Sequence, residues 1–151
     1  MAYSVQDVAK WILIRNKCEE ATEGGDFISN LKLQKLLYYA QGSYMALKDT
    51  PLFDEDFEAW TYGPVVPEVY HKYKIYDSHG IDTSEMYIDK EVISEEDSKI
   101  LEEVYQVFGQ YSAAKLVKMT HSESPWLETA KNCKISKESI KKYFKENYID
   151  Q

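Results

Sequence analysis

The side chains capable of chemistry are few and scattered along this chain. His71, His79 and His121 lack the HExxH spacing that sets two imidazoles on one helix face around zinc, and no serine occupies a GxSxG turn. Cys18 and Cys133 lie far apart and match neither a metal-ligand nor a redox spacing, so no metal and a reducing, cytoplasmic setting are expected. Gly24 and Gly25 sit in an acidic stretch without the Lys and Ser or Thr that a phosphate cradle needs. His121 and Glu123 are close enough in sequence to act as an acid-base pair. Two residues apart at a helix end, they fit a cap or a partner contact better. The expectation is a protein that is not an enzyme and carries no cofactor.

Other residues are suited to contact rather than to catalysis. Trp60, in WTYGPV, and Trp126, in HSESPW, each stand near rigidifying proline, and Trp and Tyr dominate interface hot spots on preorganised surfaces. Burial in the core is the competing reading, because large aromatic side chains are mostly buried. The same two readings apply to the thirteen tyrosines. Lys32 and Lys35 rise from an otherwise apolar helix, where they could bracket an anionic or polar group of a partner.

Helices must position these residues. Asn30 to Leu47 is long enough for about five turns and carries two apolar stripes, Leu33, Leu36, Leu37, Ala40, Tyr44 and Leu47 on one and Leu31, Tyr38 and Met45 on the other. Such a helix is packed by neighbours on two sides and should be central. Gly42 within it marks a close helix crossing, since glycine costs about 1 kcal/mol against alanine there. Before it, Ser4 and Asp7 start a helix expected to run to about Asn16 or Cys18, and EEATEGGD reads as a loop. After it, FEAWTY and MYIDKEV are two β-favouring runs expected to pair as a small flap, with a helix from Pro67 between them. Further helices begin at Ser94, Ser112, Ser124-Pro125 and Ser136. The fold expected is all-α, a mainly helical single domain over residues 1–151 with a small two-stranded β flap.

Charge narrows the partner. The net charge of −8 keeps the chain soluble and repels a phosphate backbone at long range. Residues 131–145 run against this, with six lysines and one glutamate, +5 in all, which leaves −13 elsewhere. The lysine-rich helix expected at about 136–148 could touch nucleic acid, making a nucleic-acid-binding regulator the alternative function; six lysines without arginine are more often a solvated face. No run of 18 apolar residues and no basic leader is present, so a secreted or membrane-spanning protein is not expected.

The order SVQDVAKWIL, LKLQKLLYYAQG, FEAWTYGPVVPEVYHKY and FGQYSAAKLVKMTHSESPW resembles the Panacea domain of the SocA-like antitoxins of bacteria and their phages. The resemblance runs from about Val5 to Trp126. It implies a mostly helical domain that neutralises a toxin encoded beside it by direct protein contact, and in one branch delivers that toxin to the ClpXP protease. The partner-binding residues it suggests are Lys32, Lys35 and Tyr39 on the long helix, Trp60, Tyr62, Gly63, Pro64 and Val65 at the turn, and His121, Glu123, Pro125 and Trp126 in the last motif. Of these, Lys32, Lys35, Tyr39 and His121 are expected to touch the partner, and Gly63 and Pro64 to shape the loop. The basic segment after Trp126 matches no motif of the family.

Overall fold

The computed structural model describes residues 2–23 and 27–149. Among them are seven α-helices: α1 (Val5–Glu23), α2 (Asn30–Lys48), α3 (Pro67–Tyr73), α4 (Glu95–Phe108), α5 (Ala113–His121), α6 (Ser124–Leu127) and α7 (Lys137–Asn147). Three short strands, β1 (Phe57–Trp60), β2 (Gly63–Val65) and β3 (Lys134–Ile135), form an antiparallel sheet in the order β2-β1-β3.

Helix α2 is the axis of the molecule. Ser29 caps it by accepting the Lys32 N–H at 3.2 Å, and Asp49 ends it in the left-handed conformation with φ 61°. It packs against α1, α3, α4, α5, α7 and β2, so it is surrounded rather than flanked on two sides. Every residue from Leu33 to Ala46 is buried, polar ones included. The polar ones hold loops: Gln41 donates to the Phe53 carbonyl at 2.7 Å and accepts the Leu52 N–H at 2.7 Å. Leu47, expected on the buried stripe, is 48% exposed because the helix emerges from its neighbours at its last turn.

Two expectations about local structure are corrected. Helix α1 continues beyond Cys18 to Glu23, because Glu19 to Glu23 contains no helix breaker and is of ordinary helix propensity. The glycine pair that follows lies outside the described residues. The Met86 to Val92 run forms turns, with Met86 N–H bonded to Thr83 O and Val92 N–H to Asp89 O, and pairs with no strand. A strand has two edges, and those of β1 are taken by β2, register Trp60↔Gly63, and by β3, register Phe57↔Ile135. The flap is therefore a hairpin with a third, sequence-distant strand.

Helix α7 closes the core from the far side. Ser136 caps it, accepting the Ser139 N–H at 3.0 Å, and its Ile140 and Phe144 are buried against α2. Its lysines face acid: Lys137 lies 2.6 Å from Asp56, and Lys141 and Lys145 lie 3.1 and 2.6 Å from Asp49. Lys134 on β3 reaches Asp56 at 3.5 Å. Four of the six lysines of the basic segment are thus laid on acidic residues of the body.

Candidate partner-binding face

The β1–β2 hairpin turns through Thr61 and Tyr62 into Gly63, whose φ of 109° is closed to ordinary side chains. A Cβ at Gly63 would also lie 2.7 Å from Thr120 Oγ1 and 2.8 Å from Lys35 Cε. Glycine there lets the turn press onto α2 and α5 together.

The backbone around this turn is held by side chains from three separate segments. Lys35 Nζ donates to the Pro64 carbonyl at 3.0 Å, and Gln34 accepts the Val66 N–H at 2.9 Å while donating to Asn30 Oδ1 at 3.0 Å. The Trp126 indole N–H donates to the Trp60 carbonyl at 2.8 Å. His121 Nε2 lies 3.0 Å from the Thr61 carbonyl, which requires the proton on that nitrogen, and its ring stacks on Trp126 with centroids 4.2 Å apart. Buried peptide groups need such partners, and here almost every one is a residue of the sequence motifs.

Lys35 is completely buried, and burial lowers its pKa from 10.5 to about 7. Beside it runs a second polar cluster. Glu123, 1% exposed, accepts the hydroxyls of Tyr38 and Tyr39 at 2.9 Å each and of Tyr148 at 2.6 Å. Burial pushes the Glu123 pKa up while the three phenolic donors pull it down, and burial prevails. The same burial, with the Glu123 carboxylate close by, raises all three tyrosines. Tyr39 also stacks on Phe108, 4.1 Å between centroids.

The residues singled out by sequence therefore fall into two groups. Lys35, Tyr39 and Glu123 are inside the protein, and Gly63, Pro64, Val65 and Pro125 are buried next to them. Lys35 and Tyr39, expected to touch a partner, lie beneath the surface because the Pro64 carbonyl and the Glu123 carboxylate satisfy their polar tips there. Trp60, His121 and Trp126 are half-buried, and Tyr62 is 64% exposed at the tip of the turn. Lys32 stands apart from them, donating to the Gly109 carbonyl at 2.7 Å. Two grooves flank the turn. One, of about 250 Å³, has Trp60, Tyr62 and Tyr70 on its walls; the other, of about 290 Å³, lies between Trp60 and Trp126 with Leu127 on its rim. Among the described residues no group of three or more His, Cys, Asp or Glu is arranged to hold a metal ion, and no helix is long and apolar enough to cross a membrane.

A family profile described as "Antitoxin SocA-like, Panacea domain" matches residues 33–127, from the first buried leucine of α2 to the end of α6. The chain belongs to this family. It is also 38% identical over 111 residues to Antitoxin SocA of Caulobacter vibrioides (strain NA1000 / CB15N), an alignment covering 66% of this chain and 58% of that protein. The chain thus spans less than two thirds of its relative's length. No solved structure matches it.

In this Panacea domain, the matched segment carries both polar clusters except for the Asn30 amide, which precedes it, and the Tyr148 hydroxyl, which lies beyond it. Not singled out from the sequence were Gln34, Tyr38, Thr120, Leu127 and Tyr148. Tyr38 was legible as an apolar-stripe residue, and a phenol in such a stripe must find a hydrogen-bond partner, but the sequence does not say which group that is. Nothing local to Tyr148 or Leu127 distinguished them.

Proposed function

We propose that this chain neutralises a toxin encoded beside it by binding that protein directly with the hairpin turn and its two flanking grooves. The observation that carries the reading is the convergence of Lys35, Gln34, His121 and Trp126 on the carbonyls and amides of residues 60–66. That arrangement fixes the turn before any partner arrives, and preorganisation lowers the entropy lost on association. Tyr62, the rims of Trp60 and Trp126, and Leu127 then supply aromatic and apolar contact area at its exposed surface, the composition of an interface core. In this reading the buried motif residues shape the face and the exposed ones touch the partner. The activity is stoichiometric binding, with no catalytic step.

Antitoxin SocA bears the name of such a function, which supports the reading for this chain. Delivery of the bound toxin to ClpXP is a separable second activity. The deciding experiment expresses the neighbouring open reading frame alone and together with this chain, in cells with and without ClpX. Growth arrest by the neighbour and rescue by this chain in both strains is the result expected of a binder; rescue only with ClpX identifies an adaptor. Absence of rescue in both strains contradicts the proposal.

A further inference from the structure

We infer that the groove walled by Trp60, Tyr62 and Tyr70 receives an arginine side chain of the protein partner, the guanidinium lying on the Trp60 ring with the Glu58 carboxylate beside it. The inference rests on the partner-binding reading above and assigns the chemistry of one subsite within it. The Trp60 and Tyr70 rings meet nearly edge to face, with centroids 5.0 Å apart and an interplanar angle of 68°, and so form two walls of a corner. No charged residue lines the groove, so its walls offer apolar surface and the electron-rich faces of aromatic rings.

Glu58 supplies the charge. It alternates with the buried Phe57 and Ala59 along β1, on the same outward side as Trp60, and accepts the Trp60 indole N–H at 2.9 Å. Across the sheet, Lys134 is in register with Glu58, yet its ammonium goes to Asp56 at 3.5 Å. Among the described residues no cation lies within ion-pair distance of Glu58. A carboxylate without a cationic partner, at the nitrogen edge of an indole that lines a groove, supplies the two elements that a planar cation needs. The ring takes the guanidinium face and the carboxylate takes its N–H groups. Arginine fits better than lysine because its charge is planar, more weakly hydrated and able to stack and hydrogen-bond at once. The net charge of −8 favours a basic partner at long range.

The test titrates the full ¹⁵N-labelled chain with acetyl-Ala-Arg-Ala-amide at low salt, following the Trp60 indole and the Tyr62 and Tyr70 backbone resonances. The citrulline peptide, isosteric and neutral, and the leucine peptide serve as competitors of other chemistry. Arginine is expected to shift these resonances with an affinity at least about tenfold above citrulline, and Glu58→Gln to remove most of that difference. Equal responses to arginine and citrulline, a stronger response to leucine, or no response at Trp60 overturns the inference. If the chain selects arginine yet rescues cells from no neighbouring toxin, the subsite stands and the antitoxin reading fails. If Glu58→Gln and Trp60→Leu both neutralise the toxin at the wild-type level, the subsite fails while toxin binding stands.

Discussion

The Nζ of Lys35 lies 3.0 Å from the carbonyl oxygen of Pro64, so the middle of the longest buried helix is tied directly to the turn that follows β1. An ammonium needs more acceptors than one carbonyl, and with its surroundings dry Lys35 loses its proton at about pH 7. The unfolded chain keeps that proton up to about pH 10.5. Between these values the unfolded state binds more protons, so stability rises with pH, by up to about 1.4 kcal/mol per unit from this group. The raised tyrosines turn the trend around above about pH 10, because they stay protonated in the folded state. Urea unfolding of the wild type from pH 7 to 9.5 is expected to reveal the rise, and Lys35→Met to lack it. Parallel pH profiles for the two proteins would show that Lys35 is not a dry amine.

Glu123 is buried almost as deeply as Lys35, and it is expected to be needed for the fold. Glu123→Ala leaves three phenolic hydroxyls without their acceptor and is predicted to cost about 2 kcal/mol or more. Glu123→Gln keeps the shape and one acceptor and should cost less, and Tyr148→Phe, at the half-exposed edge, about 1 kcal/mol. Thermal and urea melts of the three variants check this order. A Glu123→Ala protein as stable as wild type would remove the cluster from the account.

Gly42 lies directly against Phe144, and a Cβ built there would fall 2.3 Å from the ring. Phe144→Ala should cost about 3 to 5 kcal/mol, as the loss of a fully buried ring does. Gly42→Ala should cost about 1 to 3 kcal/mol despite its better helix propensity, because α7 must move. The double variant should cost less than the sum, since the new methyl then occupies part of the space the ring vacates. Additive losses in a double-mutant cycle would place α7 off α2.

How much of this was legible in the sequence depended on how local the cause was. The helices were, because caps at Ser94, Ser112 and Ser136 and the 3-4 spacing of apolar residues are written within a few residues of each other. Gly42 was read as a close crossing, and Phe144 is what crosses there. The third strand was not legible, since Lys134 and Ile135 are two residues whose pairing with β1 depends on the chain returning from far away. Lys35 and Tyr39 look like surface residues because their type is polar; only the fold brings Pro64 and Glu123 to them. The lysines of α7 read from sequence as a solvated face, with nucleic-acid contact as the alternative; only the fold sets Asp49 and Asp56 opposite three of them. The site motifs were thus recognised as motifs, while the division between those that are buried against the turn and those exposed around it required the structure.

That division gives stability and binding different owners. His121→Ala removes the bond to the Thr61 carbonyl and the stack on Trp126, so it should lower stability by about 1 kcal/mol and weaken binding as well by loosening the turn. Leu127→Ser, at an exposed rim, should leave the melt unchanged and weaken binding only. Melting curves alongside titration calorimetry separate the two. A Leu127→Ser protein that binds normally would move the partner off the second groove.

In the proposed interface the exposed tip of a rigidly held turn makes the contact, and Tyr62 tests this with the least interference from folding. It is 64% exposed, and no hydrogen bond of its side chain contributes to the described structure. The measurement is the affinity of purified Tyr62→Ala for the protein encoded by the neighbouring reading frame, beside the melting temperature of the free variant. An unchanged melt and a loss of about 2 kcal/mol, roughly thirtyfold in Kd, are expected. Wild-type affinity from a folded Tyr62→Ala protein would contradict the proposed interface.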